Sequence, residues 1–300
     1  MTMTMLQIVQ AAAGELGIPT PNLVVGSTTT DTLQLLALAN RAGNNLRRGF
    51  IWQALCKEYR FYTQFLVATG TITANSAVIT GLSSTTGLDS TYQVVATGVN
   101  NDTNILTKDS ATQVTMNQPA TISGTGVTIY FCKVQYTFPS DYDRMEDRTQ
   151  WDKSKHWEML GPETAEMWQW LKSGYISTGP RIRWRIFGSY FQIWPAVSTA
   201  EYLGFEYISN GWVTSSTGAP KNSFTADNDT CIFPDELMIV ALKRQYQKAK
   251  GLGAEFDDEY NELLSIAQAN DAGSADLHMA PNPLNTLIGW ENIPDSNYGN

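Results

Sequence analysis

Apolar residues recur at helical spacing through Met5, Leu6, Ile8, Val9, Ala12 and Leu16. This predicts a first helix that ends near Gly17, with Pro19 and Pro21 beyond it. A polar loop follows at 22–30. Leu35, Leu36, Ala39, Ala42 and Leu46 then form the stripe of a second helix. Asp31 stands at its start with Gln34 three residues on, the spacing of a capping box. Arg47 and Arg48 fall in its last turn, where cations suit the helix dipole. Trp52 and Leu55 sit in a further helical turn or two, and residues 60–66 turn extended.

The pattern then changes. Residues 66–135 are rich in Thr, Ser, Gly and Val, and carry only five charged side chains: Asp89, Asp102, Lys108, Asp109 and Lys133. Such a stretch forms helix poorly. It predicts short strands at 70–73, 77–80, 92–96, 104–107, 113–116 and 127–131, separated by turn residues such as Asn100-Asn101-Asp102 and Gly124-Thr125-Gly126. Val127, Ile129 and Phe131 alternate onto one face, which a small antiparallel sandwich or barrel would bury. The chain therefore reads as a host domain with a β-module spliced into it.

After the insertion, Pro139 sets an extended or turn geometry, and Gly161-Pro162 predicts a helix to about Ser173 with Trp168 and Leu171 on one face. Residues 181–195 read as a β-hairpin turning at Gly188-Ser189. That register pairs Ile186 with Phe191 and Trp184 with Ile193 on the buried face, and lines Arg181, Arg183 and Arg185 with Gln192 on the other. A strand at 203–208 is expected to join this sheet. Phe233-Pro234 opens a helix with a continuous apolar run from Leu237 to Leu242, broken at Gly251 and Gly253. Phe256, Tyr260, Leu263, Leu264 and Ala267 stripe a last helix, giving a helical hairpin.

The expected organisation is a helical part at 1–65, the β-module at 66–135, a helix and hairpin-sheet region at 136–232, a helical hairpin completing a bundle at 233–270, and an extended tail at 271–300. The expected fold class is α+β: a helical bundle with a small antiparallel sheet and an inserted all-β sandwich or barrel.

Composition narrows the function classes. A 42% hydrophobic content is ample for a core, so the chain is not disordered as a whole. The net charge of −9 argues against a protein that grips nucleic acid by neutralising phosphates. The excess is concentrated after Phe233, where eleven acids face four bases. Such an end is a solubilising tail or a docking peptide for a basic partner. Cys56, Cys132 and Cys231 are odd in number and show no CxxC, so the reading is buried reduced thiols, with no disulfide framework or zinc site. The first residues lack the basic start and cleavage site of a secretion signal, and no apolar run approaches a membrane span.

Candidate chemistry is sparse. His156 and His278 lie far apart, and no nucleophile constellation or phosphate loop accompanies them. Asp141, Asp143, Glu146 and Asp147 suggest a cation site, but Arg144 and Arg148 are interleaved, which favours an ion-pair surface. Asp227-Asn228-Asp229 reads as turn and cap chemistry. The Arg181, Arg183 and Arg185 stripe is either a contact for an acidic partner or DNA backbone, or simply a solvated sheet face. Nine Trp, 13 Tyr and 11 Phe suit a large interface or an aromatic core equally. No cofactor and no metal are expected.

Several short stretches stand in a telling order. Leu35 to Leu38 leads into Ala39-Asn40-Arg41, then Phe50-Ile51-Trp52-Gln53-Ala54-Leu55. Tyr136-Thr137-Phe138-Pro139-Ser140-Asp141-Tyr142 precedes Trp151-Asp152. Phe191-Gln192-Ile193-Trp194-Pro195 closes a strand on proline, followed by Glu206-Tyr207-Ile208-Ser209 and Phe233-Pro234-Asp235-Glu236-Leu237. Across most of 30–65 and 136–270 the chain resembles head-to-tail adaptor (connector) proteins of tailed bacteriophages. Residues 70–131, through Ser76-Ala77-Val78-Ile79-Thr80-Gly81 and Gly124-Thr125-Gly126-Val127-Thr128, resemble a small β-module inserted in various phage structural proteins. Adaptors of short-tailed phages lack such a module, which leaves its role open.

The resemblance implies a structural virion protein, not an enzyme, made in the host cytoplasm and placed at the capsid–tail junction. It implies a twelvefold ring of this chain under the portal protein, in contact with tail or nozzle proteins, with no membrane partner. DNA would pass through the lumen without specific binding. The tail residues Asp271, Asp276, Leu277, Pro281, Leu284, Leu287 and Trp290 are the portal-docking candidates, and Arg181, Arg183 and Arg185 the interface candidates. Two rival classes remain: another virion part, such as a tail-tip or decoration protein whose β-module binds a surface, and a hydrolase using Asp141 or Asp143.

Overall fold

The computed structural model describes residues 2–173, 181–252 and 255–272. In chain order the elements are α1 (Met5–Glu15), α2 (Thr30–Gly49), a 3-10 turn (Gln53–Leu55), β1 (Cys56–Tyr62), β2 (Phe65–Ile72), β3 (Val78–Ile79), β4 (Tyr92–Val95), β5 (Ile105–Ser110), β6 (Gln113–Met116), β7 (Gly124–Lys133), β8 (Gln135–Thr137), β9 (Tyr142–Met145), β10 (Trp151–Asp152), β11 (Trp157–Glu158), α3 (Ala165–Lys172), β12 (Arg183–Phe187), β13 (Tyr190–Trp194), β14 (Tyr202–Ser209), β15 (Val213–Thr214), β16 (Pro220–Lys221), β17 (Thr230–Cys231), α4 (Asp235–Lys250) and α5 (Asp257–Ala272). They fall into two units. One holds residues through Lys57, Ser140–Glu146 and the described residues from Glu206 onward; the other holds Glu58–Pro139 and Asp147–Phe205.

In the first unit α4 is the central element. Every residue from Leu237 to Lys243 is buried, because α1, α2 and α5 all pack against it. Lys243 is tolerated there because it pairs with Glu15 at 2.5 Å and lies over the Phe256 ring. Gly251 ends α4 in the left-handed conformation, φ +70°. α1 opens on a capping box between Thr4 and Gln7. The box expected at Asp31 and Gln34 does not form: α2 begins at Thr30 and Asp31 lies inside its first turn.

The core of this unit is mixed. The apolar faces of the helices converge on Ile208, Trp212, Val213 and Cys231, which come from β14, β15, β17 and the chain between them. Trp212 stacks on Phe233 with centroids 5.9 Å apart, and Phe224 meets it edge-on at 5.0 Å. β16, β15 and β17 form a three-stranded antiparallel sheet in that order, and β9 pairs with β14 through Tyr207 and Met145.

In the second unit β2, β7 and β4 form one antiparallel sheet and β3, β6 and β5 another. Both contribute to one core. Ala68, Ile72, Val94, Ile129 and Phe131 come from the first; Ile79, Ile105, Val114 and Met116 from the second. β1, β14, β10 and β11 lie in that order in a further sheet. The hairpin β12–β13 has the expected register, with Ile186 opposite Phe191 and Trp184 opposite Ile193. Its third strand is β8, not the 203–208 strand, which belongs to the sheet with β10. Ile186 is also exposed, so the buried face stops short of the turn.

The expected fold class is therefore overturned. Among the described residues strand, at 31%, exceeds helix, at 28%, and they are mostly β, with several small antiparallel sheets and no helical bundle core. The physical reason lies in the segments after residue 135. Several strands there are only two to four residues long, too short to show a period-2 pattern, whereas the helical stripes are long and conspicuous. The 233–270 hairpin accordingly does not complete a bundle; α4 and α5 join a core that strand residues close.

Candidate functional site

The most developed polar site lies in the first unit, around Asp141. A cleft of about 490 Å³ is lined by Lys57, Asp141, Tyr207, Asn210, Lys221 and Thr225, among others. Asp141 Oδ2 accepts from Lys57 Nζ at 2.6 Å and from Ser209 Oγ at 2.8 Å. Its Oδ1 accepts from Tyr207 OH at 2.8 Å. The local fold dictates this convergence. Tyr207 and Ser209 are two residues apart on β14 and therefore point to the same side. The Asp141 carbonyl accepts from the Asn210 amide at 2.7 Å, which ties the segment before β9 to the end of β14.

Burial works against the charge of Asp141, but the donors Lys57, Ser209 and Tyr207 outweigh it and hold the carboxyl below its ordinary range. On the far side of the cleft Lys221 Nζ is held by Asp229 at 2.8 Å, and Asp229 also accepts from the Thr225 and Ala226 amides. Burial of Asp229 is likewise outweighed by those donors, so its carboxyl too is lowered. Asp227 caps the Val24 and Val25 amides. Both lysines of the cleft thus already have carboxylate partners, and the site ties chain segments together.

The other acids behave as an ion-pair surface. Asp143 meets Arg47 at 2.5 Å and Arg144 at 3.5 Å. Among the described residues no group of three His, Cys, Asp or Glu could hold a metal ion. His156 sits exposed in the turn between β10 and β11, and His278 lies outside the described residues. Burial pushes the Cys132 thiol up to about 11 and the Cys231 thiol up to about 12, so both are protonated at neutral pH. No helix among the described residues is long and apolar enough to cross a membrane.

The arginine stripe is partly covered. Arg183 pairs with Glu163 at 2.5 Å, Arg185 lies 5.5 Å over the Phe187 ring, and Arg181 is engaged as well. Trp194 and Gln192, opposite Arg183 and Arg185, share their face and are buried. α3 accounts for part of this: its Trp168 and Leu171 cluster with Trp194. Replacing Arg185 with Ala is expected to change stability by under about 1 kcal/mol in urea unfolding, because a half-exposed cation over a ring contributes little.

Of the docking candidates in the tail, only Asp271 is described. It lies in α5, not in a tail, and accepts from the Gln53 amide at 2.6 Å. Asp276, Leu277, Pro281, Leu284, Leu287 and Trp290 lie outside the described residues.

Sequence reasoning missed Lys57, Tyr207 and Ser209 as partners of Asp141. Lys57 is 84 residues from Asp141 and Ser209 is 68, and no local spacing signals such a meeting. It also missed Asp152 and Glu201, two buried carboxyls of the second unit. No protein-family model matches the chain, and no curated protein matches it.

Proposed function

We propose that this chain is a structural virion protein, a head-to-tail adaptor that forms a ring between portal and tail through which DNA passes. One observation carries the reading. Two of the stretches behind the resemblance, the one ending Ser140-Asp141-Tyr142 and Glu206-Tyr207-Ile208-Ser209, are bound to each other through Asp141. Both carboxylate oxygens are occupied by donors from the chain, which suits a scaffold better than a hydrolase. The acidic balance of −9 supports a lumen that does not hold DNA, since like charge lowers its local affinity.

The test is light scattering on a sizing column, with the chain alone and with its cognate portal. Co-elution as one large ring complex is the expected outcome; a chain that ignores the portal at micromolar concentration overturns the reading. A chain ending at Ala272 keeps α5 and the Asp271 contact, and is expected to lose portal binding if the remaining residues dock there. Binding at full strength by that shortened chain would remove the tail from the interface.

A second reading has its own observation. Val67, Tyr130 and Val95 are cross-strand partners on the outer face of the β2–β7–β4 sheet, and Val67 and Val95 are 46% and 41% exposed. Such a row suits a tail-tip or decoration protein that binds a surface through the module. Val67→Lys separates the two: it should abolish surface binding while portal binding persists.

A further inference from the structure

Asp152, at the end of β10, and Glu201, just before β14, are 2% and 4% exposed. Burying two carboxylates side by side is costly unless a cation or a proton compensates. Their partners show how far compensation goes. Glu201 Oε1 takes the Lys155 ammonium and the Thr199 hydroxyl. Asp152 Oδ1 accepts from the Ser154 amide at 3.0 Å and the Lys155 amide at 3.2 Å. Glu201 Oε2 is buried with no hydrogen-bond partner. The backbone leaves Glu201 little freedom to escape. Its amide donates to Thr63 Oγ1 and its carbonyl accepts from the Thr63 amide, both at 2.8 Å.

We infer that Asp152 and Glu201 share one proton, carried on Asp152 and donated to Glu201 Oε2, and that losing it loosens the β10–β14 junction as pH rises. The junction rests on the Lys153 amide to Tyr202 carbonyl bond at 2.8 Å and the Tyr202 amide to Ser154 Oγ bond at 2.7 Å, both beside the pair. One ammonium, Lys155, serves two carboxyls. Of the other charged groups nearby, Lys153 and Arg60 are engaged by Glu58, and Arg148 faces Glu158. Burial first, and Glu201 second, push the Asp152 carboxyl up to about 6.

The sign is fixed by linkage. A carboxyl raised above its ordinary value of 3.8 contributes stability that is complete below 3.8 and lost as pH rises through about 6. Asp152→Asn keeps a donor to Glu201 Oε2 but cannot titrate. The ratio of wild-type to variant folding constants should therefore fall about fiftyfold between pH 4 and pH 7 in urea titrations. A ratio that stays flat across this range overturns the inference. Should the variant fail to fold, carboxyl carbon NMR on the wild-type chain still decides. An aspartate titrating near pH 6 supports the shared proton, and aspartates all titrating below pH 4.5 exclude it.

Discussion

Gly43→Ala is expected to destabilise the first unit by about 3 kcal/mol. A Cβ at this position on α2 would overlap three carbons of the Trp212 ring. Trp212 cannot yield easily. It is fully buried, packed between Phe224 and Phe233, and its Nε1 donates to the Asn222 carbonyl at 2.9 Å. In an exposed helix the same substitution stabilises by up to about 1 kcal/mol, because Gly is the poorer helix former. Gly14 supplies that control: it is exposed on α1 with nothing near its would-be Cβ, and Gly14→Ala should raise the melting temperature. Thermal or urea unfolding of the two variants should give opposite signs. Equal signs would mean that the Trp212 contact is not close in solution.

Asp141→Ala is expected to cost about 2–3 kcal/mol at neutral pH, the scale of hydrogen bonds to a charged group. The loss removes the carboxylate to which the Tyr207 and Ser209 hydroxyls donate, while Lys57, which is partly exposed, recovers water. The pH dependence has a definite sign. The Asp141 carboxyl lies below its ordinary value of 3.8 in the folded state, so its contribution is present above 3.8 and disappears as pH falls through the lowered value. The gap between wild type and variant should narrow at low pH. A gap that widens on acidification would show that the carboxylate does not hold the site together. Asp141→Asn is the milder change, since the amide oxygen still accepts one donor.

These two positions also mark what local patterns can carry. The stripes Met5 to Leu16 and Leu237 to Leu242 specify α1 and α4, because a helix writes its buried face at a spacing visible in the chain. The alternation around Val127, Ile129 and Phe131 specifies the face that β7 buries, and the register of the β12–β13 hairpin follows from its turn at Gly188. Asp141 was visible as an acid among arginines, an ion-pair surface.

The sequence by itself therefore determined the long helices, the strand-rich character of residues 66–135 and the hairpin register, all of which depend on neighbours a few residues apart. Only the tertiary structure decided that strand residues close the core the helices share, that β8 and not the 203–208 strand completes the hairpin sheet, and that Gly43 lies under Trp212. It alone brought Asp141 to Lys57 and Ser209, and Asp152 to Glu201. The reason is physical. Strands of two to four residues leave almost no periodic trace, and long-range pairing is set by which surfaces bury together, a property that no short window of sequence contains.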